Sequence, residues 1–354
     1  MIFNALCERG CKQRLSILKM LAEGPKTTKQ LSLGLKGRPS GYAQIYSYLR
    51  LLQDCRLIYK KGKLWYIEDD VKKILPSILD PKTLKLYLAG TSTALKVLQS
   101  LPFQFPYLLS AGHYWNGKFR LPRELKFASE IFVDSGAQQF YRYFNGLDYP
   151  YSAIEYVDFA VNLGANLIAT LDLPLDILTP RGLDVKAGLK KTVDYGVNIY
   201  EYAEKLGISN KVVPVLQGFD DASQWLECLD LYKDHGIQSD IWGIGSLCMT
   251  KSIKLVSSVI QQLRNELEEK KLHVFGLALN ALKKVFKFID SFDTSAWVYW
   301  AKMDGAVFVW DPLRKRFIQL QARDGKRYDT LSLMRINIQA IFSMVEDLNI
   351  CKNA

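Results

Sequence analysis

The sequence contains few of the residues that build metal centres or disulfide frameworks. Its 354 residues include six cysteines and three histidines. Only Cys7 and Cys11 have a spacing that places both thiols on one helix face, and no second pair stands at metal-ligand spacing. Six cysteines are also too few for a disulfide scaffold in a chain this long. We therefore predict structural or free thiols, no metal site and no cofactor.

Several other signals are missing. The sequence has no low-complexity tract, no uncharged apolar run long enough to span a bilayer, and no basic segment followed by an apolar one at its start. It also lacks GxGxxG and GxxxxGKS or GxxxxGKT, the glycine-rich phosphate loops that accompany open doubly wound sheets. These absences predict a globular, intracellular protein that does not enter a membrane, and they disfavour an open doubly wound sheet.

The sequence does have a large positive net charge and a length that exceeds one ordinary domain. The formal net charge of +11 favours a polyanionic partner such as nucleic acid. A chain of 354 residues exceeds what one ordinary core covers, so we expect a larger domain with a smaller one attached.

The first seventy residues (1–70) have the pattern of a winged helix. Residues 12–23 and the segment after Thr27 carry apolar side chains at helical spacing, and a third helical pattern begins at Ser40. Residues 57–67 form two β-type runs around a Lys-Lys-Gly-Lys tip, as in a hairpin. In a winged helix the third helix can enter the major groove while the hairpin contacts phosphate, although docking of a partner protein is an alternative use of the fold. The candidate nucleic-acid contacts are Arg38, Gln44, Arg50, Lys60, Lys61 and Lys63.

Residues 71–104 are expected to be linker helices, and residues 105–350 a TIM (β/α)8 barrel of the α/β class. From Pro102 onward, eight short apolar runs alternate with longer amphipathic stretches, which is the order of repeated βα units. Eight strands over about 250 residues match the size of a TIM barrel, whose catalytic groups come from the carboxyl ends of several strands. The predicted strands are residues 105–110, 131–134, 166–172, 212–217, 240–245, 272–276, 287–293 and 306–310.

Polar residues end several of the predicted strands. Asp134, Asp172 and Asp293 would share one barrel mouth with Gln217, and clustered carboxylates raise one another's pKa. A single strand-end Asp is otherwise a common helix cap. Two carboxylates facing one pocket suit chemistry at a sugar C1′, where one attacks and the other moves protons. A glycosidase acting on carbohydrate is an alternative reading of the same acids.

Four segments resemble, in order, the motif series of the tRNA-guanine transglycosylase superfamily. They are residues 133–138, 215–218, 244–247 and 291–294. They are most similar to those of the DpdA-like proteins, the branch that places 7-deazaguanines in DNA. The nucleophile motif of that branch likewise ends in a Ser-Trp-like pair, here Ser295 and Trp297.

The resemblance implies a base exchange in which a 7-deazaguanine (preQ0-type) base replaces guanine without a break in the nucleic acid backbone. Asp293 would be the nucleophile at C1′, forming a covalent glycosyl-enzyme, and Asp134 the general acid/base. The base-binding residues implied by the resemblance are Asp172, Gln217, Gly245 and Ser246.

Three departures from the tRNA enzymes bear on the substrate. Gly245-Ser246 stands where they show two glycines, and Ala137-Gln138 replaces their Gly-Phe. Their zinc site of three cysteines and a histidine is missing, because Cys351 is the only cysteine after residue 250. The first two departures bear on which base is accepted. The missing zinc site, together with a winged helix in front of the barrel, favours DNA over tRNA. A tRNA-guanine transglycosylase and a winged-helix regulator whose barrel binds a purine are the alternatives.

A target nucleotide must leave its stack to enter the mouth, and a winged helix that grips the duplex could offset that cost. Aromatic side chains could stack beside the flipped base, or simply pack loops over the barrel, and basic ones could contact phosphate. We interpret His273 as a core or supporting residue. The candidates beside the flipped base are Tyr114, Trp115, Tyr141, Arg142, Tyr143, Tyr149 and Tyr151, with Lys118, Arg120, Arg123 and Lys126 for phosphate.

Overall fold

The chain divides into two compact units, one of residues 1–83 with 349–354 and one of residues 84–348. The computed structural model describes residues 11–35, 42–69, 71–72, 84–90, 92–101, 103–122, 125–143, 148–303, 305–320 and 329–352. Arg38 and Arg123 lie outside these described residues.

In the part of the chain that the structure describes, the first unit combines helices with a small antiparallel sheet. Its helices are Cys11–Ala22, Thr28–Gly34 and Tyr42–Asp54, and its strands are β1 (Lys26–Thr27), β2 (Ile58–Lys61) and β3 (Leu64–Ile67), in the order β1-β3-β2. A capping box starts the second helix, since the Thr27 side chain accepts from the Gln30 backbone and the Gln30 side chain accepts from that of Thr27. Gly62 has a φ of +63° at the hairpin tip, which favours glycine.

An apolar core joins the described helices and strands of the first unit. Leu18 of the first helix, Leu31 of the second and Leu49 of the third are all fully buried. Trp65 of β3 packs into the same cluster, and its indole nitrogen donates to the Thr28 hydroxyl at 3.1 Å. The hairpin is therefore fixed to the helices by both apolar burial and a buried hydrogen bond.

The second unit is built around a parallel sheet that is nearly closed into a barrel. Its strands are β4 (Lys85–Ala89), β5 (Phe105–Ser110), β6 (Ala128–Asp134), β7 (Leu167–Ala169), β8 (Val212–Val213), β9 (Val215–Leu216), β10 (Ile241–Ile244), β11 (Lys271–Val274) and β12 (Ser291–Thr294). They pair in the order β8-β7-β6-β5-β4-β12-β11-β10-β9. Only Pro214 separates β8 from β9, and its carbonyl accepts from the Gly243 N–H at 2.9 Å. The arrangement is compatible with a TIM-like barrel.

Helices connect the strands and begin at residues that suit helix starts. Ser152 with Glu155 and Asp221 with Gln224 form capping boxes. The helices of this part of the chain are Ser92–Gln99, Ala137–Tyr143, Ala153–Asn162, Leu175–Leu178, Val185–Lys205, Ala222–Asp234, Ile253–Glu266, Leu279–Val285, Ala296–Lys302 and Thr330–Lys352. Short 3-10 turns lie at Ala111–Tyr114, Thr179–Arg181 and Ser209–Lys211.

Apolar side chains from neighbouring strands form one buried cluster along the sheet. It includes Tyr87 of β4, Leu108 of β5, Phe132 of β6, Ala169 of β7 and Val213 of β8. These residues come from consecutive strands of the sheet order, so the cluster packs neighbouring strands against one another.

Two strand predictions from the sequence are wrong. The first barrel strand is β4, which lies in the stretch predicted as linker helices. Leu84, Leu88 and Leu95 have a spacing that imitates a helix, and a strand buried on both faces has no alternation to reveal it. The run predicted as the eighth strand forms β13 (Val307–Asp311), but it pairs antiparallel with β14 (Arg316–Leu320), outside the barrel sheet. Asp293 therefore lies on the last strand of the barrel sheet in chain order, and not on the seventh of eight.

Within the described ranges, no helix is both long and apolar enough to cross a membrane.

Candidate active site

Three carboxylates meet where barrel strands end. Asp134 is the last residue of β6, Asp172 follows β7, and Asp293 lies in β12. Burial raises the pKa of Asp134 to about 7, with further upward contributions from the charges of Asp172 and Asp293. The Gly136 N–H, 3.4 Å from Oδ2 of Asp134, and the Ser110 hydroxyl oppose this rise in pKa. The three acids are thus close enough to interact, and Asp134 can hold or release a proton near neutral pH.

Asp172 is the centre of a chain of hydrogen bonds. Its Oδ1 accepts from the Ser135 hydroxyl at 2.6 Å, and its Oδ2 accepts from the Gln217 side-chain amide. The Gln217 carbonyl oxygen accepts from the Ser246 hydroxyl, which itself accepts from the Leu175 N–H at 2.9 Å. Burial raises the pKa of Asp172 to about 6, although the Ser135 and Gln217 hydrogen bonds hold it down. The chain fixes one acceptor and one amide side by side in a buried wall.

The backbone at Gly245 and Ser246 is shaped around Gln217. A Cβ on Gly245 would lie 2.2 Å from the Gln217 Nε2, so only glycine leaves room for that amide. Ser246 has a φ of +55°, a left-handed conformation that costs a non-glycine residue energy and is over-represented at functional sites. The resemblance implied backbone contacts to a base at these two positions. The structure additionally gives the Ser246 side chain a hydrogen bond to Gln217.

Asp293 is buried and anchored through one oxygen. Its side chain accepts from the Gly276 N–H at 2.8 Å through Oδ1, and only 7% of the residue is exposed. Gly276 has a φ of +57°, so glycine suits the turn that aims its N–H at the carboxylate. Within the described part of the chain, Oδ2 of Asp293 accepts no hydrogen bond and is left for another partner.

His273 lies directly behind Asp293. Its Nε2 is 3.5 Å from Oδ1 of Asp293, and its Nδ1 is 2.9 Å from the Ser291 hydroxyl. The ring is fully buried on β11, among the aromatic side chains of the cluster that packs the strands. The sequence suggested a core or supporting residue, but it gave no indication of contact with the acid.

Other residues at the mouth make hydrogen bonds that the sequence did not predict, including two of the tyrosines proposed to stack beside the base. The Tyr149 hydroxyl donates to the Asp172 carbonyl at 2.7 Å, and the Tyr151 hydroxyl donates to the Ser135 carbonyl. Asp176 accepts from the Cys248 thiol at 3.2 Å and the Met249 N–H at 3.3 Å, and its charge acts to raise the pKa of Asp172. These residues lie in loops and at helix starts, where neither periodicity nor a strand end marks them.

The aromatic candidates pack largely on one another. Tyr141 and Tyr151 are buried, and Trp115 and Phe119 lie against the Tyr151 ring at centroid distances of 5.1 and 4.7 Å. Tyr149 also lies 5.4 Å from Tyr151. For Tyr141 and Tyr151, this burial favours loop packing over stacking on a nucleotide.

The basic candidates are distributed over both units. On the first, Gln44 and Arg50 are exposed on helix Tyr42–Asp54, and Lys60, Lys61 and Lys63 are exposed on the hairpin. On the second, Lys118, Arg120 and Lys126 are exposed, and Arg142 lies in helix Ala137–Tyr143.

The donor groups of the mouth are mixed in kind. In the ranges described above, no group of three or more His, Cys, Asp or Glu side chains could hold a metal ion. The mouth presents carboxylates, hydroxyls, an amide and backbone N–H groups, which is a set suited to proton transfer and covalent chemistry.

No curated protein is similar enough to this chain to count as a match. Residues 150–309 match the sequence model of the family described as DpdA: DeoxyPurine in DNA protein A. The matched segment contains Asp172, Gln217, Gly245, Ser246 and Asp293, whereas Asp134 precedes it. The resemblance to the DpdA-like 7-deazaguanine DNA transglycosylases is thereby confirmed over residues 150–309.

Proposed function

We propose that this protein is a base-exchanging transglycosylase that replaces guanine in DNA with a 7-deazaguanine base of the preQ0 type. The observation that carries the proposal is the meeting of Asp134, Asp172 and Asp293 at the carboxyl ends of the barrel strands. There, burial and the charges of Asp172 and Asp293 raise the pKa of Asp134 to about 7. One acid is thus ready to exchange a proton near neutral pH beside another that is anchored through a single oxygen. The match over residues 150–309 supports DNA and a guanine-like base as the substrates.

The two acids divide the chemistry between them. Oδ2 of Asp293 attacks C1′ of the target nucleotide, the glycosidic C–N bond breaks, and its electron pair leaves with the guanine. Asp134, protonated beforehand, gives its proton to the departing base. In the second half-reaction Asp134 takes a proton from the incoming base, whose ring nitrogen attacks C1′ and releases the Asp293 carboxylate. Charges and protons balance over the cycle, and the DNA backbone stays intact.

Asp172 and Gln217 form the reading edge for the base. A guanine-like edge presents ring and amino N–H donors beside a carbonyl acceptor. The Asp172 carboxylate supplies an acceptor and the Gln217 amide a neighbouring donor, and their mutual hydrogen bond holds them in register. The Ser135 hydroxyl donates to Asp172 and the Ser246 hydroxyl donates to Gln217. The two side chains are therefore already oriented before a base binds, and little conformational entropy is lost on binding.

The architecture we assign is a TIM (β/α)8 barrel over residues 105–350, extended at its start by β4, with a winged helix over residues 1–70. The order of helix, short strand, two helices and hairpin in the first unit supports the second assignment. Lys60, Lys61 and Lys63 are exposed on the hairpin, where they can contact DNA phosphate. We expect the winged helix to hold the duplex while one nucleotide is flipped into the mouth.

The test is incorporation of a labelled base into polymer. Purified protein is incubated with labelled guanine or a labelled 7-deazaguanine and with duplex DNA or tRNA in parallel, and label is counted in the polymer. We expect label in DNA from the wild-type protein and none from Asp293→Ala, a loss of about 10⁴-fold or more. The variant should still shift duplex DNA in a gel, since the hairpin lysines are untouched.

Two results would overturn the proposal. Label that enters tRNA in preference to DNA would assign the protein to the tRNA enzymes. Incorporation by Asp293→Ala at the wild-type rate would remove the nucleophile. As a control for the winged helix, the triple change of Lys60, Lys61 and Lys63 to Ala should lessen the salt dependence of DNA binding. The slope of log affinity against log salt should fall by about one for each phosphate that these lysines neutralise in the wild-type complex.

A further inference from the structure

The imidazole of His273 is fully buried beside the proposed nucleophile. Its Nε2 approaches Oδ1 of Asp293 to 3.5 Å, which is longer than a formed hydrogen bond, and has no other partner within the described residues. A buried ring nitrogen without a hydrogen bond costs free energy. Catalytic hydrogen bonds are often long before the substrate binds and shorten in the reacting complex.

The partner of the second ring nitrogen determines which tautomer leaves a proton on Nε2. Burial lowers the pKa of His273, so the ring is neutral and has one N–H and one acceptor nitrogen. The Ser291 hydroxyl lies 2.9 Å from Nδ1 and can donate to it. With Nδ1 accepting from Ser291, the proton resides on Nε2 and points toward Asp293.

Aromatic side chains surround the imidazole ring. Tyr87 of β4 and Phe132 of β6 meet the imidazole edge-on at centroid distances of 5.5 and 4.9 Å, and Phe275 lies at 4.5 Å. The charged groups that act on it are Asp293, Lys85 and Glu130. The ring is therefore held in one orientation by contacts that leave Asp293 as the acceptor it faces.

We propose that His273 is the positioning residue of the nucleophile, holding Oδ1 of Asp293 together with the Gly276 N–H so that Oδ2 alone attacks C1′. The inference rests on the proposed function. Two donors on one oxygen orient the carboxylate before attack. In the covalent intermediate the same oxygen becomes the ester carbonyl. When the incoming base displaces the carboxylate, the two donors stabilise the charge that returns to Oδ1.

Kinetics of matched variants test this role. His273→Leu keeps the volume but removes the donor, whereas His273→Gln keeps an N–H at a similar reach. We expect the kcat for base exchange to fall about 10- to 100-fold in His273→Leu, because the reacting carboxylate then has one donor fewer. The KM for the base should stay within about twofold, since Asp172 and Gln217 are unchanged. His273→Gln should recover most of the activity, and His235→Asn, at an exposed helix end, should be neutral.

Two kinetic outcomes would overturn the inference. These are an unchanged kcat in His273→Leu, or equal decreases in His273→Leu and His273→Gln accompanied by a matching fall in melting temperature. The latter would identify a packing residue only. A wild-type protein that exchanges no base would contradict the proposed function instead. In that case a spectroscopic measurement tests the interaction of His273 with Asp293 by itself.

Imidazole ¹⁵N NMR examines the interaction without turnover. The chain has three histidines, so His273→Leu and His235→Asn assign the signals. We expect His273 to be neutral with its proton on Nε2, and Asp293→Ala to shift its Nε2 signal while leaving that of His235 in place. A proton on Nδ1, or an Nε2 signal indifferent to Asp293→Ala, would overturn the positioning role whatever the activity of the protein.

Discussion

The carboxylates at the two ends of the barrel strands differ in the partners that surround them. Near the amino ends, Glu130 accepts from the Lys85 ammonium and the Tyr87 hydroxyl, and Asp290 accepts from the Arg264 guanidinium at 2.6 Å. At the carboxyl ends, Asp134, Asp172 and Asp293 form no salt bridge with Lys or Arg among the residues that the structure describes. Their partners are instead hydroxyls, an amide and backbone N–H groups.

The difference distinguishes acids that stabilise the fold from acids that serve a reaction. An acid that faces a cation has its charge compensated and contributes to the fold, even if modestly. An acid buried beside other acids raises the free energy of the folded state when it ionises. Asp134 is such an acid. Buried acids without a cationic partner are retained in a fold where a reaction depends on their raised pKa.

After the loss of the nucleophile in Asp293→Ala, the largest expected effect is that of Asp134→Asn on catalysis. The amide cannot give a proton to the departing base or take one from the incoming base, so kcat should fall about 10²- to 10⁴-fold. In the wild-type protein the rate of base release should decline as the pH rises above about 7, because Asp134 then loses the proton it must donate. Single-turnover release of labelled guanine measured across this range checks both expectations. A variant with wild-type rates, or with an unchanged pH profile, would contradict the acid/base role.

A second expected effect of Asp134→Asn is on stability. In the unfolded chain Asp134 titrates near its usual 3.8, whereas in the folded protein its pKa is about 7. Between these values the folded state holds a proton that the unfolded state has lost, so the contribution of Asp134 to stability falls as the pH rises through this window and is constant above it. The uncharged Asn does not pay this penalty. The melting temperature of Asp134→Asn should therefore rise relative to wild type between pH 3.8 and about 7, by on the order of 2–4 °C for each kcal/mol removed.

The control for the stability measurement is Asp240→Asn. Lys270 lowers the pKa of Asp240, so this acid stabilises the fold above its unfolded pKa and loses that contribution only as the pH falls. The variant should thus show a slope of the opposite sign, at more acidic pH. A melting-temperature difference for Asp134→Asn that does not vary with pH would mean that the carboxyl is not held above its usual pKa.

The sequence predicted the acids of the mouth better than their surroundings. Asp134 and Asp172 each come at or after a strand whose apolar run is visible along the chain, so local pattern was enough to place them. The strand β4 was missed because leucines four apart fit a helix equally well. The antiparallel pairing of β13 with β14 could not be seen either, since an isolated apolar run does not specify its neighbour.

The interactions that give the acids their properties join distant parts of the chain. The bond from Ser135 to Asp172 spans 37 residues, and the bond from Leu175 to Ser246 spans 71. His273 and Asp293 belong to adjacent strands whose register, His273 opposite Ser291, is set only by the assembled sheet. Patterns along the sequence report burial and turns, but such pairings require the tertiary structure.

The smallest expected effect comes from the opposite end, with Glu130→Gln. The amide can still accept from Tyr87 but no longer pairs with the Lys85 ammonium. Because the two side chains are 22% and 43% exposed, solvent screens the pair, and its removal should cost about 1 kcal/mol, or about 2–4 °C in melting temperature. Base exchange should remain within about twofold of wild type, as Glu130 lies at the other end of β6 from Asp134. Thermal melts and label incorporation on the same preparations measure both quantities. If Glu130→Gln lost activity as Asp134→Asn is expected to, the acids at the two ends would not differ in kind, and the absence of a cationic partner would no longer mark the catalytic end.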